Sequence, residues 1–155
     1  MIYVECEPDF VLVKSITNIP KREIVHEGGK GNVCKKLKKN QNSKGLVDED
    51  PMRSQPKYVV EKMKVEEDLS PHGIKILYDN SNNNYLFVLY PRLEGWILKA
   101  TKEAKIDIEK YGLPNDEEKL HKIINIRIGK FERLIKDLKE KSKMLKTLAK
   151  LIREK

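Results

Sequence analysis

Short apolar runs alternate with longer amphipathic ones along this chain. Met1 to Cys6, Glu23 to His26, Gly45 to Val47, Ile74 to Tyr78 and Tyr85 to Tyr90 are brief, mostly apolar and bounded by turn-forming residues. That is the pattern of strands buried in a sheet. Between the first two lies a strongly apolar helix. It opens near Pro8, carries Phe10, Val11, Leu12 and Val13, and ends at Thr17-Asn18-Ile19-Pro20. A second helix follows the turn Gly28-Gly29-Lys30-Gly31-Asn32, with Val33, Leu37 and Cys34 inward and Lys35, Lys36, Lys38 and Lys39 outward. Met52 to Lys57 reads as an irregular loop, and Tyr58 to Glu67 fits neither the helical nor the strand period. The runs on either side of Asp79–Asn84 form a hairpin or flank the sheet separately. Pro91 opens a helix with Leu93, Trp96, Ile97 and Ala100 on one face. Tyr111-Gly112-Leu113-Pro114 breaks the chain, and Asn115 or Asp116 caps a helix with Leu120, Ile123, Ile124 and Ile128 on its apolar face. Lys130 to Lys155 reads as one long last helix. Its stripe of Phe131, Ile135, Leu138, Leu145, Ala149 and Leu151 or Ile152 has nearly 3.5-residue spacing, and Ser142 interrupts it.

Strand–helix–strand–helix–strand order at the start implies right-handed crossovers and a parallel sheet. The expected class is α/β: a Rossmann-like, mostly parallel sheet flanked by helices, with a carboxyl-terminal helical extension. The expected division is a domain over 1–110 and a basic helical extension over 111–155, packed on it or on a partner. The 155 residues are 39% hydrophobic and 36% charged, which suits an aliphatic core under a densely ionic surface. The net charge of +8 and sequence pI near 9.3 suit an anionic partner, most commonly nucleic acid. A lysine-rich composition of the heat-adapted kind explains the same charge and stays open. The last helix carries ten basic and four acidic residues, and Lys139, Lys143, Lys146 and Lys150 are its expected nucleic-acid surface. Two cysteines make no disulfide framework, and the start has no basic segment leading an apolar one. The expectation is a reduced, cytoplasmic setting, with no membrane span.

Candidate chemistry lies where the apolar runs end. Leu46 and Val47 run into Asp48-Glu49-Asp50, and Pro51 stops further pairing. Alternation along a strand puts Asp48 and Asp50 on one side and Glu49 on the other. Two carboxylates so placed repel, and a hard divalent cation such as Mg²⁺ or Mn²⁺ relieves the repulsion; a solvated acidic turn is the other reading. The first run also ends in carboxylates: Glu5, Glu7 and Asp9. If the two runs are neighbouring parallel strands, Glu5 faces Asp48 and Asp50 across a cleft. Lys30, between Gly29 and Gly31 at a helix start, is a candidate phosphate contact or an ordinary glycine turn. Cys6, His26 and Cys34 match no zinc spacing.

Tyr3-Val4-Glu5-Cys6-Glu7-Pro8-Asp9 resembles the first motif of TOPRIM domains, and Leu46-Val47-Asp48-Glu49-Asp50 resembles their D-x-D motif. The Gly28–Asn32 turn resembles that of the OLD-nuclease-like branch, and Pro91-Arg92-Leu93-Glu94-Gly95-Trp96 resembles a segment of small TOPRIM-like proteins. The resemblance spans roughly residues 1–105. Cys6 stands where glycine is usual, and Met52 where some members carry a third Asp. The resemblance implies Mg²⁺-dependent phosphodiester chemistry on DNA or RNA, with a nuclease as the leading expectation and a non-catalytic binding or repair accessory protein as the alternative. Asp48 and Asp50 are then metal ligands, and Glu5 completes the coordination or acts as general acid or base. Glu94 adds a ligand or is a surface carboxylate at a helix start. Asp9 caps the first helix or orients the metal shell. A second copy or another protein docking on the last helix is the further partner expectation.

Overall fold

The structure is a computed structural model and describes residues 1–50 and 54–155. Pro51 and Met52, which bear on the sequence reading, lie outside the described residues. Six strands form one sheet: β1 (Ile2–Val4), β2 (Ile24–His26), β3 (Lys44–Asp48), β4 (Lys64–Leu69), β5 (Ile74–Asp79) and β6 (Asn84–Leu89), in the order β2-β1-β3-β6-β5-β4. The β2-β1-β3-β6 part is parallel, and β5 and β4 add antiparallel strands at one edge. The β5–β6 pair is a hairpin, resolving the choice the sequence leaves open.

Strand alternation divides the core in two. Ile2, Val4, Leu46, Ile74, Ile76, Phe87 and Leu89 face one side; Tyr3, Val47, Leu77, Leu86 and Val88 face the other. The second side is covered by α2 (Lys30–Lys39), through Val33, Cys34 and Leu37, and by α3 (Lys57–Lys62), through Tyr58. Gly45 is where α2 comes closest to β3: a Cβ there would lie 2.9 Å from both Leu86 Cδ1 and Val33 Cγ1. The first side carries α1 (Glu7–Ile16), α4 (Leu93–Ala104), α5 (Glu117–Ile123), α6 (Ile128–Lys141) and α7 (Lys143–Glu154). Among the described residues, no helix is long and apolar enough to cross a membrane.

One reading of the sequence is corrected, and one left open is resolved. The last helix is two helices, broken at Ser142. That fully buried hydroxyl accepts a hydrogen bond from the Leu145 N–H at 3.3 Å and donates one to Glu103 Oε1 at 2.7 Å. The serine that interrupts the apolar stripe caps the next helix and ends the one before it. The ambiguous stretch after Lys57 is both kinds of element, α3 followed by β4, with Met63 between them. Residues beyond 110 pack on the first part of the chain, one of the two arrangements expected for the helical extension. Leu113, Leu120, Ile124, Phe131, Leu138, Leu145 and Ile152 join the same apolar cluster as Ile2, Leu46 and Trp96.

Candidate functional site

The chain leaves β1 for α1 on one face of the sheet, returns in β2, and crosses by α2 on the opposite face to β3. The crossovers therefore diverge between β1 and β3, which are paired neighbours. Such a topological switch point opens a crevice at the carboxyl ends of its strands. Glu5 directly follows β1, and Asp48 is the last residue of β3. Their contact is direct: Glu5 Oε2 accepts the Asp48 backbone N–H at 2.7 Å.

Two helix starts supply further carboxylates to the same crevice. Asp9 stands in the first turn of α1, 1% exposed, with Oδ2 accepting from the Cys6 thiol at 3.1 Å. Glu94 stands in the first turn of α4, 5% exposed. Asp48 Oδ1 accepts the Leu93 N–H at 3.0 Å and so satisfies one of the amides that α4 leaves unpaired at its start. Two helix amino termini thus place partial positive charge beside the carboxylates.

The electrostatics show how closely these groups are held. Burial pushes the Asp48 carboxyl up to about 9, and the charges of Asp9, Glu5 and Glu94 add to it. Burial likewise raises Asp9 to about 7, with Glu5 and Glu94 adding, while the Cys6 thiol and backbone amide oppose the shift. Glu5 is raised by burial against the opposing Asp48 amide and Lys30 charge. Burial also pushes the Cys6 thiol far up, so it is a proton donor to Asp9 and no thiolate nucleophile. Four carboxylate oxygens are buried without a hydrogen-bond partner among the described residues, and two of them, Asp9 Oδ1 and Glu94 Oε2, belong to this group. Buried oxygens in that condition are uncommon, and a cation is one thing that satisfies them. Among the described residues, however, no three His, Cys, Asp or Glu side chains stand arranged as a ready metal cage.

Asp50 is placed differently from the strand reading. β3 ends at Asp48, and Asp50 has φ +47°, so alternation stops before it and does not set it beside Asp48. It lines a cavity of about 410 Å³ with Glu5, Gly29, Lys30, Gly31, Ser54, Gln55 and Pro56. Lys30 Nζ donates to the Glu49 carbonyl at 3.0 Å and to Gln55 Oε1. Burial lowers the Lys30 ammonium, and Glu5 acts most strongly against that. Glu5 borders both the buried carboxylates and this glycine-lined cavity. Lys143, Lys146 and Lys150 are exposed along α7, whereas Lys139 Nζ donates to the Ser15 carbonyl at 3.1 Å. Trp96 is fully buried, its indole N–H donating to the His72 carbonyl at 2.7 Å.

Sequence leaves Asp9 between a cap and a metal-shell role. It stands inside the cluster, and the signal is its place one turn beyond a strand that already ends in Glu5. His121 carries no such signal. Its Nδ1 lies 3.1 Å from Glu94 Oε1, across 27 residues of chain, and no local pattern announces such a contact. The chain matches no family model, no curated protein and no solved structure.

Proposed function

We propose that this protein carries out divalent-cation-dependent phosphodiester chemistry on nucleic acid, as a nuclease with a TOPRIM-like arrangement of acidic residues. One observation carries the reading: Glu5, Asp9, Asp48 and Glu94 lie at the switch point, where burial raises the proton affinities of Asp48, Asp9 and Glu5 and the charges of Glu5 and Glu94 add to the first two. Holding unpaired carboxylates together in a folded core is destabilising unless the arrangement serves a charge of opposite sign. Oxygen-only donors, two of them without a partner, suit Mg²⁺ or Mn²⁺. Asp48, Asp9 and Glu94 would hold the ion, with Asp50 on the wall of the neighbouring cavity. When bound, a hard divalent cation neutralises charge on the scissile phosphate and on the leaving oxygen. Glu5 borders both compartments and takes the proton from an attacking water. Gly29, Lys30 and Gly31 border the cavity where a phosphate fits, with an ammonium and backbone amides on its wall. The +8 net charge and the exposed lysines of α7 favour a polyanion over a small anionic substrate.

A binding-only reading has one observation in its favour. Glu5 Oε2 and Asp48 Oδ1 are already engaged by backbone amides, as purely structural caps would be. The test is incubation with single- and double-stranded DNA and RNA, with Mn²⁺, Mg²⁺ or chelator. Cation-dependent cleavage, abolished in Asp48→Asn and Glu5→Gln with circular dichroism unchanged, is the expected result. Binding of every substrate with no cleavage under any cation leaves the non-catalytic reading, and full activity in either variant rejects the site.

A further inference from the structure

Glu94 is almost fully buried, yet it receives a side-chain partner from a segment far away in sequence. α5 brings His121 to it: His121 Nδ1 and Glu94 Oε1 are 3.1 Å apart, the imidazole side chain 56% exposed and the carboxylate 7%. A carboxylate oxygen accepts in such a contact, so the tautomer that fits it carries its proton on Nδ1 and donates to Oε1. Oε1 is thereby engaged, while Oε2, on the same carboxylate, is buried and has no partner among the described residues.

The seating of α5 is specific at several points. Asp116 caps it, accepting from the Lys119 N–H at 2.9 Å. Leu120 and Ile124 are buried in the core. Arg92, just before α4, pairs with Glu117 (3.5 Å) and with Glu118, the two residues that open α5. Gly95 permits this approach, since a Cβ there would collide with Glu117 Oε1. The start of α4, which carries Glu94, is thus clamped to the start of α5, which carries His121.

We propose that His121 is a positioning residue for the cation site: its Nδ1–H holds Glu94 so that Oε2 points into the carboxylate cluster. The inference rests on the cation reading above and adds to it a residue from the helical segment beyond the resemblance. A partner that orients a ligating carboxylate characteristically changes metal affinity by about 10–100-fold when removed.

The experiment is Mn²⁺ titration of the full chain at neutral pH, followed by paramagnetic resonance of the free ion, for wild type, His121→Ala, His121→Asn and Glu94→Gln. Melting of the cation-free forms is measured alongside. His121→Ala is expected to weaken Mn²⁺ binding about 10–100-fold with little change in cation-free melting, because its ring is largely exposed. His121→Asn, whose amide N–H can take the place of Nδ1–H, is expected to stay within a few-fold of wild type. Combining His121→Ala with Glu94→Gln should weaken binding no further than Glu94→Gln alone, as expected for two residues acting through one contact. Wild-type affinity in His121→Ala, beside a weakened Glu94→Gln, overturns this proposal and leaves the cation site standing. Lowered melting in His121→Ala with unchanged affinity also overturns it, in favour of a structural role. No Mn²⁺ binding by wild type overturns the site and the proposal together.

Discussion

Removing one charge from the cluster should stabilise the cation-free protein, and the gain should grow with pH. Asp48→Asn is the suitable change. The amide oxygen can still accept the Leu93 N–H that Asp48 Oδ1 accepts at 3.0 Å, so the start of α4 stays capped. In the folded protein Asp48 is raised to about 9 by burial and by Asp9, Glu5 and Glu94, whereas an unfolded chain ionises it near its ordinary value of 3.8. A carboxyl raised on folding contributes its stability fully below the unfolded value and loses it as pH climbs to the folded value. Between pH 5 and pH 8 the native state thus keeps a proton that the unfolded state has released. Stability then falls by about 1.4 kcal/mol per pH unit for each such proton. Over three units the loss reaches up to about 4 kcal/mol, and Asp48→Asn removes it. Asp9 shares the proton affinity of the cluster and is itself raised to about 7, so about half of that, near 2 kcal/mol, is the expected gain. For a chain of this size it corresponds to roughly 4–8 °C in melting temperature. The assay is thermal or urea unfolding of both proteins in chelator at pH 5, 6, 7 and 8. The wild type should lose stability over this range more steeply than the variant, with the curves diverging towards pH 8. Parallel curves would refute the claim that Asp48 holds a proton in a repelling cluster.

Three other outcomes follow from particular side chains. Reversing the charges of exposed Lys143, Lys146 and Lys150 should weaken nucleic-acid binding and flatten its dependence on log salt, by roughly 0.9 in slope for each duplex phosphate no longer neutralised; filter binding at several salt concentrations reads it, and an unchanged slope moves the surface elsewhere. Gly45→Ala should destabilise by about 1–3 kcal/mol, because its Cβ would stand 2.9 Å from two core side chains between α2 and β6; chemical denaturation reads it, and an unaltered midpoint would show that α2 shifts freely. Ser142→Ala should remove about 1 kcal/mol through weaker capping of α7, with a further cost from leaving Glu103 without its hydroxyl donor; urea unfolding reads it, and a wild-type midpoint would show that the α6–α7 break needs no cap.

Much of the fold was legible because buried strands and amphipathic helices write their periods into sequence. Ile2/Val4 against Tyr3, and Leu46 against Val47, alternate between two helical layers, and the alternating order of runs implied a parallel sheet. Glu5 and Asp48 were legible as a pair because both directly follow apolar strands, and parallel neighbours bring such ends together. Local pattern failed where burial of a single polar group outweighed periodicity. Ser142 divides an apparently continuous helix, and the positive φ of Asp50 ends the alternation that would set it beside Asp48. Tertiary structure alone decided that residues 111–155 pack on the core of this chain instead of on a partner, and that His121 reaches Glu94. Such contacts depend on how α5 is seated against α4 by Arg92, Glu117 and the open space at Gly95, and side chains that meet only when two helices pack leave no periodic trace in either.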